Sequence, residues 1–178
     1  MTLLCVGNSP RSTGVTLVEM MVTLAVAAIL AAVAVPSFRN VFNNSQLSSF
    51  VNSTLADMTL ARSEAIKRAR PVSVCGSADQ QQCDGRWLDG RLVFLDENSD
   101  GDFDAGDDEI LRRTDVTSGS LVVKSRWHFT YFARGTTNTP GTMVVCSTNA
   151  SVDNRSLIVS SMGRARVVQS SHDATACE

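Results

Sequence analysis

The sequence predicts an α+β protein in which one long N-terminal helix packs on an antiparallel β-sheet domain. Two observations carry this prediction. Residues 15–70 have the composition of a helix, hydrophobic in the first half and amphipathic in the second. Beyond Pro71 the pattern changes to short β-like runs between Gly, Asn, Asp and Ser, a spacing typical of antiparallel sheet. The chain of 178 residues has room for the helix and one globular domain.

The N-terminal segment divides into a leader and a hydrophobic stretch. Residues 1–14 carry one basic side chain, Arg11, and end in Pro-Arg-Ser-Thr-Gly, which interrupts a helix. The stretch that follows, to Pro36, approaches the ~20 apolar residues that cross ~30 Å of hydrocarbon. Residues 15–38 are therefore predicted to form a transmembrane and assembly helix. A secretory signal peptide, cut after the Ala-rich residues 31–34, is the alternative.

Glu19 favours the assembly helix, because a carboxylate inside a membrane segment is costly unless it has a partner. If the chain is cut between Gly14 and Val15, the new amino group lies about one helical turn from Glu19. The amino group of a neighbouring subunit could then pair with this carboxylate. The alternative is an ordinary signal anchor with an accidental glutamate.

The segment from Gly14 through Thr16-Leu17-Val18-Glu19 to Pro36 resembles a type IV prepilin N-terminus. The resemblance implies cleavage after Gly14 by prepilin peptidase and N-methylation of the new first residue, Val15. It also implies a single-pass subunit held in the lipid of the inner membrane, with its globular domain in the periplasm, until Glu19 helps it join a filament. One departure is Val15, where the family usually has Phe or Met.

The second half of the helix, residues 39–70, is predicted to bury one face. The apolar residues of this face recur at intervals of three and four. They are Leu47, Phe50, Val51, Leu55, Met58 and Ala61. Pro71 restricts its predecessor and cannot donate a backbone hydrogen bond, so the helix is expected to end near Arg70.

Residues 71–178 are predicted to form the β-rich domain. Eight runs have strand character and are separated by turn-forming residues. They read PVSVC, RLVFL, EILRR, SLVVK, HFTYF, TMVVC, SLIVS and ARVVQ.

Four cysteines remain once Cys5 leaves with the leader, and an even number suits an oxidising compartment. They allow three pairings, of which Cys75 with Cys83 and Cys146 with Cys177 is favoured. The first pair closes a short local loop, and the second ties down the end of the chain. Free buried thiols are the alternative.

Enzymatic activity is not predicted. The chain has no Gly-rich phosphate loop, no G-x-S-x-G elbow and no H-E-x-x-H pair. His128 is expected to be a strand residue and His172 to lie in a polar tail, so neither is assigned a catalytic role.

An acidic segment that begins at Asp96 and ends at Asp107 resembles an EF-hand loop. Oxygen ligands alternate along it, and Gly101 occupies the sixth position. However, Asp107 is shorter than the usual bidentate glutamate, and β-like runs rather than helices flank the loop. We predict a polar hairpin connection with no metal and no cofactor, and calcium binding is the alternative.

Charge is unevenly distributed. Residues 96–109 hold eight of the eighteen acidic residues, so the rest of the chain has ten acidic and sixteen basic residues. The net charge of −2 therefore conceals a basic surface of the kind that binds a polyanion.

The sharpest candidate site is Gly163-Arg164-Ala165-Arg166. If Arg164 begins a strand, Arg164 and Arg166 project from one face about 6 to 7 Å apart, and Gly163 frees the preceding turn. Guanidinium groups bind phosphate through paired donors, and neutralising phosphate charge supplies most sequence-independent DNA affinity. The alternative is an exposed pair that protects a sheet edge from aggregation.

Several C-terminal features resemble the GspH/FimT group of minor pilins and pseudopilins. They are Trp87-Leu88-Asp89-Gly90, Val93-Phe94, the Asp-rich segment, residues 132–135, Met143-Val144-Val145-Cys146 and Gly163-Arg164-Ala165-Arg166. Similarity to the FimT branch implies a minor pilin that contacts DNA through Arg164 and Arg166, with Gly163 shaping the loop, for uptake in natural transformation. Because the sequence offers no obvious aromatic stacking platform beside the motif, we expect sequence-independent contact with double-stranded DNA. Lys124, Arg126, Arg134 or Arg155 would assist. The alternative is a GspH-type pseudopilin of a type II secretion system, which contacts other pseudopilins.

Overall fold

The computed structural model describes residues 14–115, 121–149, 151–170 and 177, with backbone alone at 33, 35–37 and 170. The rest of the predicted leader, residues 1–13, and His172 lie outside the described residues. The chain divides into two compact units, residues 1–38 and residues 39–178. Helix α1 (Leu17–Arg68) contributes to both.

In the first unit, Thr16 starts helix α1. Its hydroxyl oxygen accepts a hydrogen bond of 3.2 Å from the backbone N–H of Glu19. Thr16 and Glu19 have the spacing of a capping box, in which the first side chain satisfies an amide that the helix leaves unpaired. Among the described residues, no helix is both long and apolar enough to cross a bilayer.

In the second unit, α1 buries the predicted apolar face. Leu47, Phe50, Val51, Met58 and Ala61 are all at most 4% exposed, while the predicted Leu55 is only partly buried. The helix ends two residues earlier than expected, at Arg68, and Ala69 takes a left-handed backbone conformation before Pro71.

All eight predicted runs form strands. They are β1 (Val72–Gly76), β2 (Gly90–Leu95), β3 (Glu109–Asp115), β4 (Leu121–Lys124), β5 (His128–Tyr131), β6 (Gly141–Ser147), β7 (Asn154–Val159) and β8 (Ala165–Ser170). They form two antiparallel sheets of four strands, β3-β2-β1-β5 and β4-β6-β7-β8. We call these the β1 sheet and the β8 sheet. The predicted α+β class is therefore confirmed, and β8 is an edge strand.

The main core joins α1 to both sheets. Met58 from the helix, Phe129 from the β1 sheet and Leu157 from the β8 sheet are all fully buried in one apolar cluster. Trp87 packs its ring edge-on against Phe129, with centroids 5.9 Å apart. Burial of this kind contributes roughly 1.5–3 kcal/mol for each large apolar side chain.

The β1 sheet is buried on its second face as well. Phe103, from the acidic connection between β2 and β3, packs edge-on against Phe94, with centroids 5.5 Å apart. Leu92 and Cys75 complete this small outer cluster. The acidic segment therefore covers a sheet face as part of the fold.

Two disulfides are present, Cys75–Cys83 and Cys146–Cys177, with Cα atoms 5.7 and 6.4 Å apart. They are the two pairs that the sequence analysis favours. The first joins β1 to the following loop, and the second joins β6 to the C-terminal segment.

Candidate nucleic-acid interface

The motif Gly163-Arg164-Ala165-Arg166 lies at the tip of the β7–β8 hairpin. The N–H of Gly163 donates to the Ser160 carbonyl at 2.8 Å, and the N–H of Ser160 donates to the Arg164 carbonyl at 3.0 Å. Gly163 has a φ of 72°, which favours glycine because it has no Cβ. The strand begins at Ala165, one residue later than the sequence analysis assumed, so Arg164 belongs to the turn.

Both arginines nevertheless point away from the core. Ala165 and Val167 pack against the main core cluster, whereas Arg164 and Arg166 are exposed. This alternation is the two-residue period of a strand. Arg166 is paired across the hairpin with Ile158.

A second loop supports the turn from behind. A Cβ at Gly163 would collide with the carbonyl oxygen of Gly135, which itself has a φ of 72°. The N–H of Thr137 also donates to the carbonyl of Ser161 at 3.0 Å. The loop of residues 132–137 and the β7–β8 turn therefore fit together only because Gly163 lacks a side chain.

Arg62 of α1 ties both loops to the helix. Its Nε donates to the Gly135 carbonyl at 3.0 Å, and its Nη2 donates to the Met162 carbonyl at 3.2 Å. Neither contact is local in sequence, so no local pattern indicated it.

These elements enclose an open groove of about 570 Å³. It is lined by Arg62, Ile158, Ser160, Met162, Arg164 and Arg166. Within residues 14–115, 121–149 and 151–170, no carboxylate forms an ion pair with any of the three arginines. The groove thus presents three positive charges without internal neutralisation, together with Ser160 as a neutral polar group.

The other basic residues considered from the sequence are scattered. Arg134 is exposed next to Gly135, beside the groove. Arg155 donates to the Asn44 side chain at 3.2 Å, and Lys124 is on the edge strand β4, away from β8 in strand order. The side chain of Arg126 lies over Gly141. Of these four residues, Arg134 is the one that the structure places next to the motif.

In the acidic segment, carboxylate oxygens accept hydrogen bonds from other groups of the protein. Asp96 is fully buried, and its Oδ2 accepts hydrogen bonds from Ser73 Oγ at 2.6 Å and from the Gly101 N–H at 3.0 Å. Burial raises the pKa of the Asp96 carboxyl, and the nearby charge of Asp100 adds to the rise. Asp108 accepts backbone N–H bonds from Glu97 and Asp104. In the part of the chain that is described, no group of three ligating side chains could hold a metal ion.

The residues predicted for processing and assembly belong to the other compact unit. Gly14 and Val15 precede α1, and Glu19 is exposed in its first turn.

A buried ion pair between α1 and the β1 sheet was not predicted from the sequence. Asp57 on α1 accepts from Arg91 Nε at 2.7 Å and from Arg112 Nη1 at 3.2 Å. Arg91 is fully buried and also donates to Ser53 Oγ at 2.8 Å. Burial lowers the pKa of Arg91, and Asp57 opposes that shift. The available signal was a polar pair, Thr54 and Asp57, inside the apolar face of the helix.

Two family models match the sequence. The model described as "Type II transport protein GspH" matches residues 51–163, and the "Prokaryotic N-terminal methylation motif" matches residues 9–35. No curated protein matches the chain significantly.

Solved structures of similar fold are also found. The type IV minor pilin FimU of Pseudomonas aeruginosa is 26% identical, with a TM-score of 0.55, over 70% of this chain and 89% of that one. The minor pseudopilin EpsH from the Type 2 Secretion System of Vibrio cholerae is 13% identical, with a TM-score of 0.48, over 70% and 97%.

Proposed function

The chain belongs to the GspH family of minor type IV pilins and pseudopilins, and we propose that it is a FimT-like minor pilin that binds duplex DNA through Arg164 and Arg166. Proteins of this class are filament subunits without enzymatic activity, so binding and assembly are the functions to consider. In this proposal the subunit is carried in a pilus, and DNA held at the groove is taken up in natural transformation.

Assembly is supported by the N-terminal segment. The methylation motif indicates a membrane-anchored pilin that is built into a pilus. We assign Gly14 and Val15 to cleavage by prepilin peptidase and to methylation. Glu19 is assigned to docking against the amino group of a neighbouring subunit, since its carboxylate is exposed in the first helical turn.

The observation that carries the DNA-binding proposal is the exposed pair Arg164 and Arg166 on one side of an open groove, where no carboxylate of the described residues pairs with either arginine. Each guanidinium presents a planar set of donors that matches two phosphate oxygens. Such contacts recognise the phosphate backbone and carry no sequence information. None of the described residues that line the groove is aromatic, so an unpaired base would have no ring to stack on there, which supports duplex over single-stranded DNA.

Two phosphate contacts give weak binding to one subunit. Several copies in a filament, each with its own groove, would raise the overall affinity through effective concentration without a new contact. We therefore expect weak binding by the isolated subunit and strong dependence on salt.

The test compares three forms of the full-length protein purified in detergent: the unaltered chain, the double variant Arg164→Ala/Arg166→Ala, and Arg113→Ala. Arg113 is an exposed arginine on β3 of the other sheet and controls for charge. The affinity for a fluorescent duplex is measured across a salt series. The slope of log K against log salt is negative, and we expect it to become less steep by about 1.8 in the double variant, because each phosphate contact contributes about 0.9 to its magnitude.

Arg113→Ala should leave the slope close to that of the unaltered chain. Both substitutions should change the free energy of unfolding by no more than about 0.5 kcal/mol, because the side chains are exposed. Equal salt slopes for the double variant and the unaltered chain would overturn the DNA-binding proposal.

A GspH-type pseudopilin of a type II secretion system is the second candidate, favoured by the description of the matching family model. Deletion of the gene separates the two. A FimT-like pilin predicts lost DNA uptake with normal protein secretion, and a pseudopilin predicts the reverse. In either case Glu19→Ala should reduce incorporation of the subunit into filaments while the protein remains in the membrane fraction.

A further inference from the structure

Arg62 has more hydrogen-bonding capacity than the fold uses. A guanidinium carries five N–H donors. Two of them, one on Nε and one on Nη2, are used by the carbonyls of Gly135 and Met162. The Gly135 bond is partly buried, whereas the Met162 bond is exposed, so the Nη end of the side chain reaches the surface.

The remaining donors belong to a side chain that lines the same groove as Arg164 and Arg166. Among the described residues, no carboxylate pairs with Arg62, although its helical neighbour Glu64 is acidic. Glu64 instead pairs with Lys67 and Arg68, at 3.0 and 2.9 Å. The positive charge of Arg62 is therefore available to a ligand in the groove.

We propose that Arg62 is a third phosphate-binding residue of this groove and that it contacts the DNA backbone together with Arg164 and Arg166. This inference rests on the proposed DNA-binding function. It extends the site from one hairpin to the helix, so the bound phosphates lie along a surface that two elements of the fold build jointly.

The two backbone bonds make Arg62 a favourable ligand residue. A free arginine side chain loses rotamer entropy when it is immobilised. Arg62 is already held by two carbonyls, so much of this entropy is lost on folding and less is lost on binding. Arg164 and Arg166 are exposed, so their side chains lose this rotamer entropy only when the DNA binds. Arg62 should therefore contribute at least as much affinity as either of them.

A purely structural role for Arg62 must be distinguished from direct contact. If Arg62 only positioned the turn, its loss would act through Arg164 and Arg166 and would add little once one of these was removed. Direct contact predicts an independent loss, because each phosphate contact releases its own counterions.

The experiment measures duplex affinity across a salt series for the full-length protein, from low salt upward. Arg62→Gln removes the charge, and Arg62→Lys keeps the charge but cannot reproduce the two-carbonyl clamp. Arg62→Gln is also placed in the Arg164→Ala background. Arg113→Gln provides the matched control for a lost charge, and unfolding by urea is followed for every variant.

Arg62→Gln should reduce the magnitude of the salt slope by about 0.9 in the unaltered chain and by about the same amount in the Arg164→Ala background. Arg62→Lys should keep most of the slope while lowering the urea midpoint. An unchanged slope for Arg62→Gln in either background would overturn the role of Arg62, as would a slope for Arg62→Lys equal to that of Arg62→Gln.

These results are separable from failure of the proposed function. If Arg164→Ala/Arg166→Ala binds as the unaltered chain does, the assignment of the groove to DNA is wrong regardless of Arg62. If that double variant loses slope and Arg62→Gln does not, the groove binds DNA through the hairpin alone.

Discussion

Two groups of arginines, one in each sheet, differ in burial and in ion pairing. In the β1 sheet, Arg91 is fully buried against Asp57, and Arg112 of the neighbouring strand shares the same carboxylate. At the β7–β8 hairpin of the other sheet, Arg164 and Arg166 are exposed, and no described carboxylate neutralises them.

This contrast follows from the cost of transferring charge out of water. A buried guanidinium is destabilising by several kcal/mol unless a carboxylate and further hydrogen bonds satisfy it. An exposed arginine has no such cost and needs no partner for folding. Arg91 and Arg112 of the β1 sheet are explained by the fold, whereas Arg164 and Arg166 of the hairpin are available for a ligand.

The largest expected effect comes from breaking the buried pair. Asp57→Ala leaves Arg91 charged, buried and without its carboxylate. Removal of one partner from a buried pair costs about 3–5 kcal/mol. Urea unfolding should show this loss in the free energy of unfolding.

Arg112→Ala is the control, since its side chain is 46% exposed and holds only the outer bond to Asp57. Its effect should stay below about 1 kcal/mol. Similar losses for the two variants would show that burial does not distinguish these arginines.

An intermediate effect is expected at the hairpin backbone. Gly163→Ala places a Cβ against the Gly135 carbonyl at a left-handed φ. A strained backbone position of this kind costs about 1–3 kcal/mol, and movement of the turn should also weaken duplex binding. Thermal unfolding and the salt series measure the two effects.

Gly106→Ala provides the comparison, because no described residue beyond its two chain neighbours lies within 4 Å of the position that its Cβ would occupy. It should change neither stability nor binding noticeably. If Gly163→Ala were equally silent, the contact between the two loops would not position the arginines.

The smallest expected effect is on the pH dependence of stability, through the buried Asp96 that follows β2. Burial raises the pKa of Asp96 in the folded protein above the ordinary value of an aspartate. Between the unfolded and folded pKa values, the folded protein holds a proton that the unfolded chain has released. The stability contributed by this group is therefore greatest at low pH and falls as pH rises through that window.

Asp96→Asn should flatten this fall in the free energy of unfolding, measured by urea titration at a series of acidic to neutral pH values. Ser73→Ala should steepen it, because Ser73 Oγ donates to the ionised carboxylate and its removal raises the pKa further. Parallel pH profiles for the two variants would contradict the assignment to Asp96.

Local patterns predicted the elements well. The apolar period of three and four residues identified the buried face of α1, and alternating β-branched and aromatic runs identified all eight strands. These predictions hold because the periods of a helix and of a strand can be recognised within a short run of consecutive residues. The division of the strands into two sheets was not predicted, because pairing such as that of β1 with β5 joins distant segments.

The candidate site was predicted only in its local part. The Gly163 turn and the shared face of Arg164 and Arg166 follow from glycine conformation and strand alternation. Arg62 could not be found in this way, since it meets Met162 across 100 positions of sequence. Asp57 was overlooked for the same reason, because its partner Arg91 is on a strand that the helix reaches only after folding.

The contact between Gly135 and Gly163 limits how far the motif can be transplanted. The four letters Gly-Arg-Ala-Arg specify a turn, but its placement depends on a glycine in another loop and on a helical arginine that hydrogen-bonds both loops. Grafting the hairpin alone onto a foreign sheet should therefore transfer the charges without the geometry. A functional graft would have to carry Arg62 and residues 132–137 with it, so the portable unit is three segments of chain.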